Sequence, residues 1–255
     1  MQQPLAFIHP NAKIHSSVQI GAFSVIHDDV EIGENTIIEN NVTIYEHTRI
    51  GANCHIFPGA VIGTIPQDLK FRGETTYTYI GDYTNLRECV TVHRGTASKG
   101  KTVVGSHCLI MAYCHVAHDC VLHDHIILSN ATQLAGEVEV EDWAVIGGGS
   151  LVHQFTHIGA HAMVQGGTKV TKDVPPYVIA AREPIAYFGI NSVGLNRRGF
   201  TIEQVHTIQE VYRHFGGKLN ITQAIAQIQE EMPQSAERDT IVKFIQASPR
   251  GIIKF

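Results

Sequence analysis

Apolar residues recur every six positions through two thirds of the chain. Stepping by six from Ile8 to Val170 visits 28 positions, of which 25 are Ile, Leu or Val, and the first ten, Ile8 to Ile62, are all Ile. The exceptions are Asp68, Glu74 and Ser98, and the phase survives each of them. Neither the 3.6-residue turn of a helix nor the two-residue alternation of a strand generates such a period, so the pattern predicts a solenoid. The first residue of each hexad points inward, and so does the small residue at the fifth place. Gly dominates the second place (Gly21, Gly33, Gly51, Gly63, Gly81, Gly105, Gly147, Gly159), and Asn and Asp recur around the fourth (Asn11, Asn35, Asn53, Asp82, Asn85, Asp142). These residues tolerate positive φ or bond their own backbone, which puts a corner in every hexad. A short strand and a corner, repeated three times, close a triangular coil of 18 residues. Stacked coils then pair as parallel strands about 4.8 Å apart.

Two stretches, 64–79 and 97–103, break the pattern while the register holds on either side, so both are expected as loops extruded from a continuous prism. The repeat ends at Val174-Pro175-Pro176. Thr201 followed by Gln204 reads as a capping box, ahead of an apolar helix face of Ile202, Val205, Ile208, Val211 and Phe215 closed by Gly216-Gly217. Residues 222–232 and 235–247 carry further helical patterns split by Pro233. The expected organisation is a β-prism over 1–190 and a small helical domain over 191–255 that caps its open end.

Composition narrows the function. A net charge of −5 argues against a general binder of nucleic acid or anionic membranes. No apolar run reaches the roughly 20 residues of a membrane span, and Met1-Gln2-Gln3-Pro4 lacks the features of a signal peptide. A cytoplasmic location is expected. Four of the five cysteines, Cys54, Cys108, Cys114 and Cys120, occupy the fifth place of a hexad, which reads as small buried apolar packing rather than a disulfide or metal role.

Most of the 16 histidines, among them His9, His15, His27, His47, His55 and His107, sit at ordinary polar or corner places and read as solvated or packing residues. His115 and His118 differ. With 18 residues per coil, Gly136 stacks on His118 and Gln154 follows one coil later, beside His153. A histidine, an exposed backbone at glycine and a side-chain amide in one column suit a general base next to an oxyanion donor. Polar packing at a subunit interface is the alternative.

The strings Gln67-Asp68-Leu69-Lys70, Val92-His93-Arg94-Gly95-Thr96, Ala117-His118-Asp119-Cys120, Leu134-Ala135-Gly136, Val152-His153-Gln154-Phe155, Asp173-Val174-Pro175-Pro176-Tyr177 and Arg197-Arg198-Gly199-Phe200 resemble the acyl-[acyl-carrier-protein]–UDP-N-acetylglucosamine O-acyltransferase family across nearly the whole chain. The resemblance implies a mainly β fold: a left-handed parallel β-helix of hexapeptide repeats with a small C-terminal α-helical domain. It implies a homotrimer with clefts between neighbouring prisms, no metal and no cofactor. The implied reaction moves an (R)-3-hydroxyacyl chain from acyl carrier protein to the 3-hydroxyl of UDP-N-acetylglucosamine, the first step of lipid A biosynthesis. By the same resemblance His118 is the general base, Asp119 its orienting carboxylate and the Gly136 N–H the oxyanion donor. Asp68, Lys70, His115 and Gln154 match substrate contacts. Asn191, Arg197 and Arg198 match the nucleotide end, where guanidinium forks suit a diphosphate. Gly166 matches the position that sets acyl length, and its missing side chain implies an open groove and a long donor.

Glu137, Pro184 and Val193 depart from the family pattern, at a histidine, a second histidine and a glutamate respectively. Residues 169–218 hold seven Lys and Arg (Lys218 among them) against four acids, whereas residues before 64 hold two against six, which suits an acidic carrier and a diphosphate at the C-terminal half. Two other readings stand beside this one. A related hexapeptide N-acyltransferase would acylate an amino-sugar nucleotide. A zinc carbonic anhydrase type would use His115, His118, His123 and His125. A purely structural β-helix fits poorly, because the outward positions are heterogeneous.

Overall fold

Each hexad folds into a two-residue strand that ends on its inward Ile, Leu or Val, followed by a corner. In the computed structural model, which describes residues 5–217 and 219–255, 27 strands form three sheets of nine, eight and ten strands. Residues 1–4 and Lys218, used above for the signal-peptide and charge readings, lie outside the described residues. All the pairings are parallel except the last, between Val178–Ala181 and Ala186–Ile190. The inward positions stack in register, Ile26 on Ile44, Ile62 on Val92 and Val116 on Leu134, and all are fully buried. Each such side chain contributes about 1.5–3 kcal/mol. The pairing also shows why the phase survives the loops. Partners lie 18 residues apart in ordinary coils (Val116↔Leu134), 30 across the first loop (Ile50↔Ile80) and 24 across the second (Val92↔Val116), so the loops add two whole hexads and one.

The fifth place is more polar than its composition suggests. Thr36 Oγ1 donates to the Gly51 carbonyl at 2.9 Å, Thr84 Oγ1 to Gly105 at 2.7 Å and Ser24 Oγ to Glu39 at 2.7 Å. The thiols do the same, Cys54 Sγ to Gly81 at 3.1 Å, Cys114 to Ser129 at 3.1 Å and Cys120 to Ala135 at 3.2 Å. Ser, Thr and Cys are interchangeable here because each is small and carries one donor for a corner carbonyl that the strand ladder leaves unpaired. These cysteines are the small buried packing residues expected, and each adds a donor to that role. Burial pushes the Cys108 and Cys120 thiols up to about 12 and Cys114 to about 11, which leaves them without nucleophilic thiolate.

Positive φ falls at the fourth place, but Asn fills only some of these corners (Asn35, Asn41, Asn53). Phe23, Tyr83, His107, Tyr113, His125, Trp143, Phe155 and His161 adopt it as well. Closure of the coil on both sides imposes a conformation these residues would not choose alone. Asp82 and Asp142 stand one place earlier and accept the N–H of Ala52 and Asp124, and Asn85 lies on a strand.

The first extruded loop is shorter than 64–79, and the second is as long as 97–103 but lies three residues earlier. Strands run over Val61–Thr64, Tyr77–Ile80 and Lys101–Val104, which leaves 65–76 and 94–100 as loop. Thr78 and Thr102 return to the buried fifth place, so the prism resumes before its next Ile or Val. After Ile190 come helices α1 (Ser192–Arg197), α2 (Ile202–Arg213), α3 (Ile221–Glu231) and α4 (Ala236–Gln246). Thr201 and Gln204 form the expected capping box. Val205, Ile208, Val211 and Phe215 are buried, but Ile202, placed on that face from sequence, is 89% exposed in the first turn of the helix. A 3₁₀ turn, His214–Gly216, ends the helix. Ile252 and Lys254 return to bridge Asp173 and Ala186 on the last coil.

Candidate active site

The corner after Val116 carries His118 and Asp119. Asp119 has φ 61° and is fully buried, its own N–H donating to Thr102 Oγ1 at 2.8 Å. Its Oδ1 accepts the N–H groups of Thr96 (2.9 Å) and Lys99 (3.2 Å), and its Oδ2 accepts Thr96 Oγ1 (2.6 Å) and lies 2.8 Å from His118 Nδ1. A carboxylate ringed by donors can only accept, so Nδ1 carries the ring proton and Nε2 keeps its lone pair. Nε2 faces the next coil. A Cβ built on Gly136 would sit 2.5 Å from both Cε1 and Nε2 of His118, so only glycine leaves room for the ring.

The Gly136 N–H has no partner among the described residues. Coil geometry leaves the third-place N–H out of the ladder: at some corners a carboxylate takes it, as Asp82 does for Ala52 and Asp124 for Ser106. At Gly136 that donor stays free beside a histidine.

His118 opens on a cleft of ≈ 450 Å³ lined by Gln67, Asp68, Leu69, Lys70, Glu137, Gln154 and Phe155. Asp68, Lys70 and Gln154 are thus brought to His118, with Gly136 and Asp119 beneath and behind it. His115 is one step away on the preceding strand, 2.7 Å from Thr91 Oγ1 and edge-on to His93. Glu137, stacked one coil from Asp119, does not share its environment: it accepts Ser98 Oγ at 3.1 Å, so no acidic pair forms there.

The nucleotide-end residues lie elsewhere. Asn191, Arg197 and Arg198 line a second cleft of ≈ 790 Å³ with Trp143, His125, Leu109, Met163 and Val193. Asn191 is 5% exposed and engaged, its Nδ2 donating to the His161 carbonyl and its Oδ1 capping α1 at Gly194. Arg198 lies over Trp143, and burial lowers its pKa. Beside them a ladder of rings climbs one corner: Tyr83, His107, His125, Trp143, His161 and Tyr177 stack within 16° of parallel. Of its histidines, His107 reads from sequence as an ordinary corner residue, and the 18-residue spacing from His107 to His161 is the signal that joins them. Gly166 is on the third corner, where an added Cβ would sit 3.0 Å from the Gly148 carbonyl oxygen. The four histidines of the zinc reading are split, with His125 stacked on Trp143 and His123 Nε2 3.3 Å from Glu139. Sequence reasoning gave no role to Thr96 and Thr102, which hold Asp119; Thr96 ends one of the family-like strings, and nothing local marks Thr102.

Two buried histidines make a stability test. Burial, aided by His115 and His118 for His93 and by Arg198 for His161, holds both at about 4, below the ordinary 6.5. Between those values the unfolded chain binds protons that the folded chain refuses, so stability is full above about pH 6.5 and falls as pH drops toward 4. We expect a loss of about 2–3 kcal/mol per histidine across that window. Urea midpoints at pH 7 and pH 4.5 should show it, and the drop should shrink in His161→Asn.

Comparison with known proteins agrees with this geometry. A family model described as UDP-N-acetylglucosamine O-acyltransferase, domain 2, matches residues 173–253, and a bacterial transferase hexapeptide (six repeats) model matches residues 11–46 and 29–64. An acyl-[acyl-carrier-protein]–UDP-N-acetylglucosamine O-acyltransferase of Herminiimonas arsenicoxydans is 48% identical over 255 residues, covering 98% of this chain and 97% of that protein. The protein of the same name from Thiobacillus denitrificans is 47% identical, with 98% of each covered. A UDP-N-acetylglucosamine acyltransferase structure from Bacteroides fragilis superposes with TM-score 0.98 at 49% identity, covering 100% of both chains. The Arabidopsis enzyme of that name superposes at 0.89 with 31% identity over 100% of both chains. The repeat and the superposition together make the coil a left-handed parallel β-helix with a small helical part at its C-terminal end. By sequence along almost its full length and by fold, this chain belongs to the family of acyl-[acyl-carrier-protein]–UDP-N-acetylglucosamine O-acyltransferases.

Proposed function

We propose that this chain transfers an (R)-3-hydroxyacyl group from acyl carrier protein to the 3-hydroxyl of UDP-N-acetylglucosamine, opening lipid A biosynthesis, with His118 as base. The observation that carries the mechanism is the apposition of a tautomer-locked imidazole and a free backbone donor, His118 Nε2 against Gly136, at the mouth of a cleft. Nε2 takes the proton of the sugar hydroxyl as its oxygen attacks the thioester carbonyl. The carbonyl oxygen becomes an oxyanion and accepts the Gly136 N–H. Collapse re-forms the carbonyl, breaks the C–S bond and releases the carrier thiolate, to which the imidazolium returns the proton. A thiol with an ordinary pKa near 8.5 leaves readily, so the chemistry calls for no cofactor and no strong acid. Asp68, Lys70, His115 and Gln154 are assigned to the substrate around the base.

Arg197, Arg198 and Asn191 share no cleft with His118 in one chain. This supports a homotrimer in which one copy presents its base to the arginine cleft of the next. The exposed Leu151, Phe155, Met163 and Val193 fit such an interface. Residues 1–190 then serve as scaffold and 191–255 as its helical cap. Among the described residues no helix is long and apolar enough to cross a membrane, and a cytoplasmic enzyme served by soluble carrier goes with this reading. The stacked glycines Gly148 and Gly166 leave the third corner without side chains, which favours a long acyl donor.

The test is a panel of 3-hydroxyacyl-carrier proteins, offered to UDP-N-acetylglucosamine and to the corresponding amino-sugar nucleotide. Long donors on the hydroxyl acceptor are expected to turn over fastest. Preference for the amine would replace the ester reading with amide formation. Co-expressing His118→Ala with Arg198→Ala should restore part of the activity that each lacks alone. No restoration would mean that each site is built within one chain.

A further inference from the structure

We propose that Thr96 is a positioning residue for the reaction: the loop 94–100 is a clamp around the Asp119 carboxylate and thereby sets which nitrogen of His118 is free to act. The inference rests on His118 being the base and adds a residue that acts through it.

The loop adds one hexad that the coil does not need, and its residues close on Asp119. Thr96, 6% exposed, binds both carboxylate oxygens, Oδ1 through its N–H at 2.9 Å and Oδ2 through its hydroxyl at 2.6 Å. The direction of the hydroxyl proton is settled locally. Thr96 Oγ1 accepts the Ser98 N–H at 3.2 Å, so its own proton is left for Oδ2. Lys99 N–H supplies a further donor at 3.2 Å, and Thr102 holds the Asp119 N–H from the prism side. Every donor to this carboxylate except one is thus fixed on backbone or on a buried hydroxyl. The exception is His118 Nδ1, the only one on a ring free to turn. A fixed acceptor therefore orients the ring, and the remaining lone pair faces Gly136.

The clamp is also braced to the loop that brings Asp68 and Lys70. Thr76 Oγ1 donates to the Gly95 carbonyl at 2.6 Å, and the Ala97 N–H donates to Glu74 Oε1 at 3.0 Å. Ser98 Oγ reaches Glu137 at 3.1 Å across the cleft mouth. One small loop thus ties the base to the residues assigned to substrate.

Removing the Thr96 hydroxyl leaves Oδ2 with His118 as its one remaining partner. Negative charge once shared with the hydroxyl then falls on the imidazole, which favours the imidazolium and withdraws the free base. The carboxylate is also held less firmly and the ring is aimed less well, so in the full-length enzyme Thr96→Val should lower kcat about tenfold with KM little changed. The acid limb of the kcat/KM profile should move up by about half a pH unit. Thr96→Ser should restore both. A wild-type kcat and acid limb in Thr96→Val would overturn the inference, and so would a Ser variant as impaired as Val, since that would assign the effect to packing of the methyl group. If Thr96→Val does not reach the wild-type Tm, ¹⁵N-histidine spectra of Thr96→Ala recorded against pH decide instead: His118 is expected to keep its second proton to higher pH than in the wild type, and an unchanged pH response refutes the clamp. His118→Ala measured alongside separates the failures, because retained activity there would sink the base assignment and not merely the clamp.

Discussion

His118→Ala should lower kcat roughly 10²–10⁴-fold, the range by which a positioned general base accelerates proton transfer. The expected loss lies in kcat, because the proposed contact of Nε2 with the sugar hydroxyl forms only as its proton leaves, while the residues proposed to bind substrate, Asp68, Lys70, Gln154 and the arginines, stay in place. Stability should change little, since the ring sits at the cleft mouth with its side chain 19% exposed. The variant does leave Asp119 without its imidazole partner, but Thr96 and Lys99 still supply three donors to that carboxylate. Steady-state transfer with a long 3-hydroxyacyl-carrier protein, beside a thermal melt, makes the measurement. Near-wild-type kcat in a folded variant would remove His118 from the chemistry, and the family assignment would stand without this mechanism.

Gly136→Ala should lower kcat by roughly 10²-fold or more without removing any functional group. The alanine keeps the backbone N–H, and the backbone at this glycine lies outside the left-handed region, so the chain can accept a side chain. The difficulty is steric. The new Cβ would fall 2.5 Å from Cε1 and Nε2 of His118. The ring must swing away, and since its Nδ1 is held by Asp119, the swing breaks the bond that selects the tautomer. A methyl group thus displaces the base and covers the oxyanion position together. Kinetics with a structure of the variant would test this: full activity with the ring unmoved would show that neither the apposition nor the donor matters.

How legible this was from sequence differs by element. The hexad period alone specified the inward face, the three-sided coil and the register of the prism, because a six-residue strand-and-corner unit has one way to bury an Ile at every repeat. The same arithmetic put Gly136 over His118, which the structure bears out at atomic distance. It also placed the buried cysteines, although their donor role depends on carbonyls 15 or more residues away that no local pattern marks. The first loop came out too wide and the second three residues too late, because Thr78 and Thr102 resemble loop residues in sequence yet fill the buried fifth place.

What sequence by itself determined, then, is whatever repeats: the prism, its corners, the column that carries His118, and, through matching motifs, the family. Only the tertiary structure decided what happens where the repeat is broken or where distant coils meet. The clamp on Asp119 is made by a loop whose residues obey no period. The ring ladder from Tyr83 to Tyr177 becomes visible only once corners are stacked. The separation of Arg197 and Arg198 from His118 reflects corner geometry rather than chain distance. Periodic burial is a local constraint that composition can encode, whereas a polar site is satisfied by whichever donors the closed coil brings within hydrogen-bonding reach.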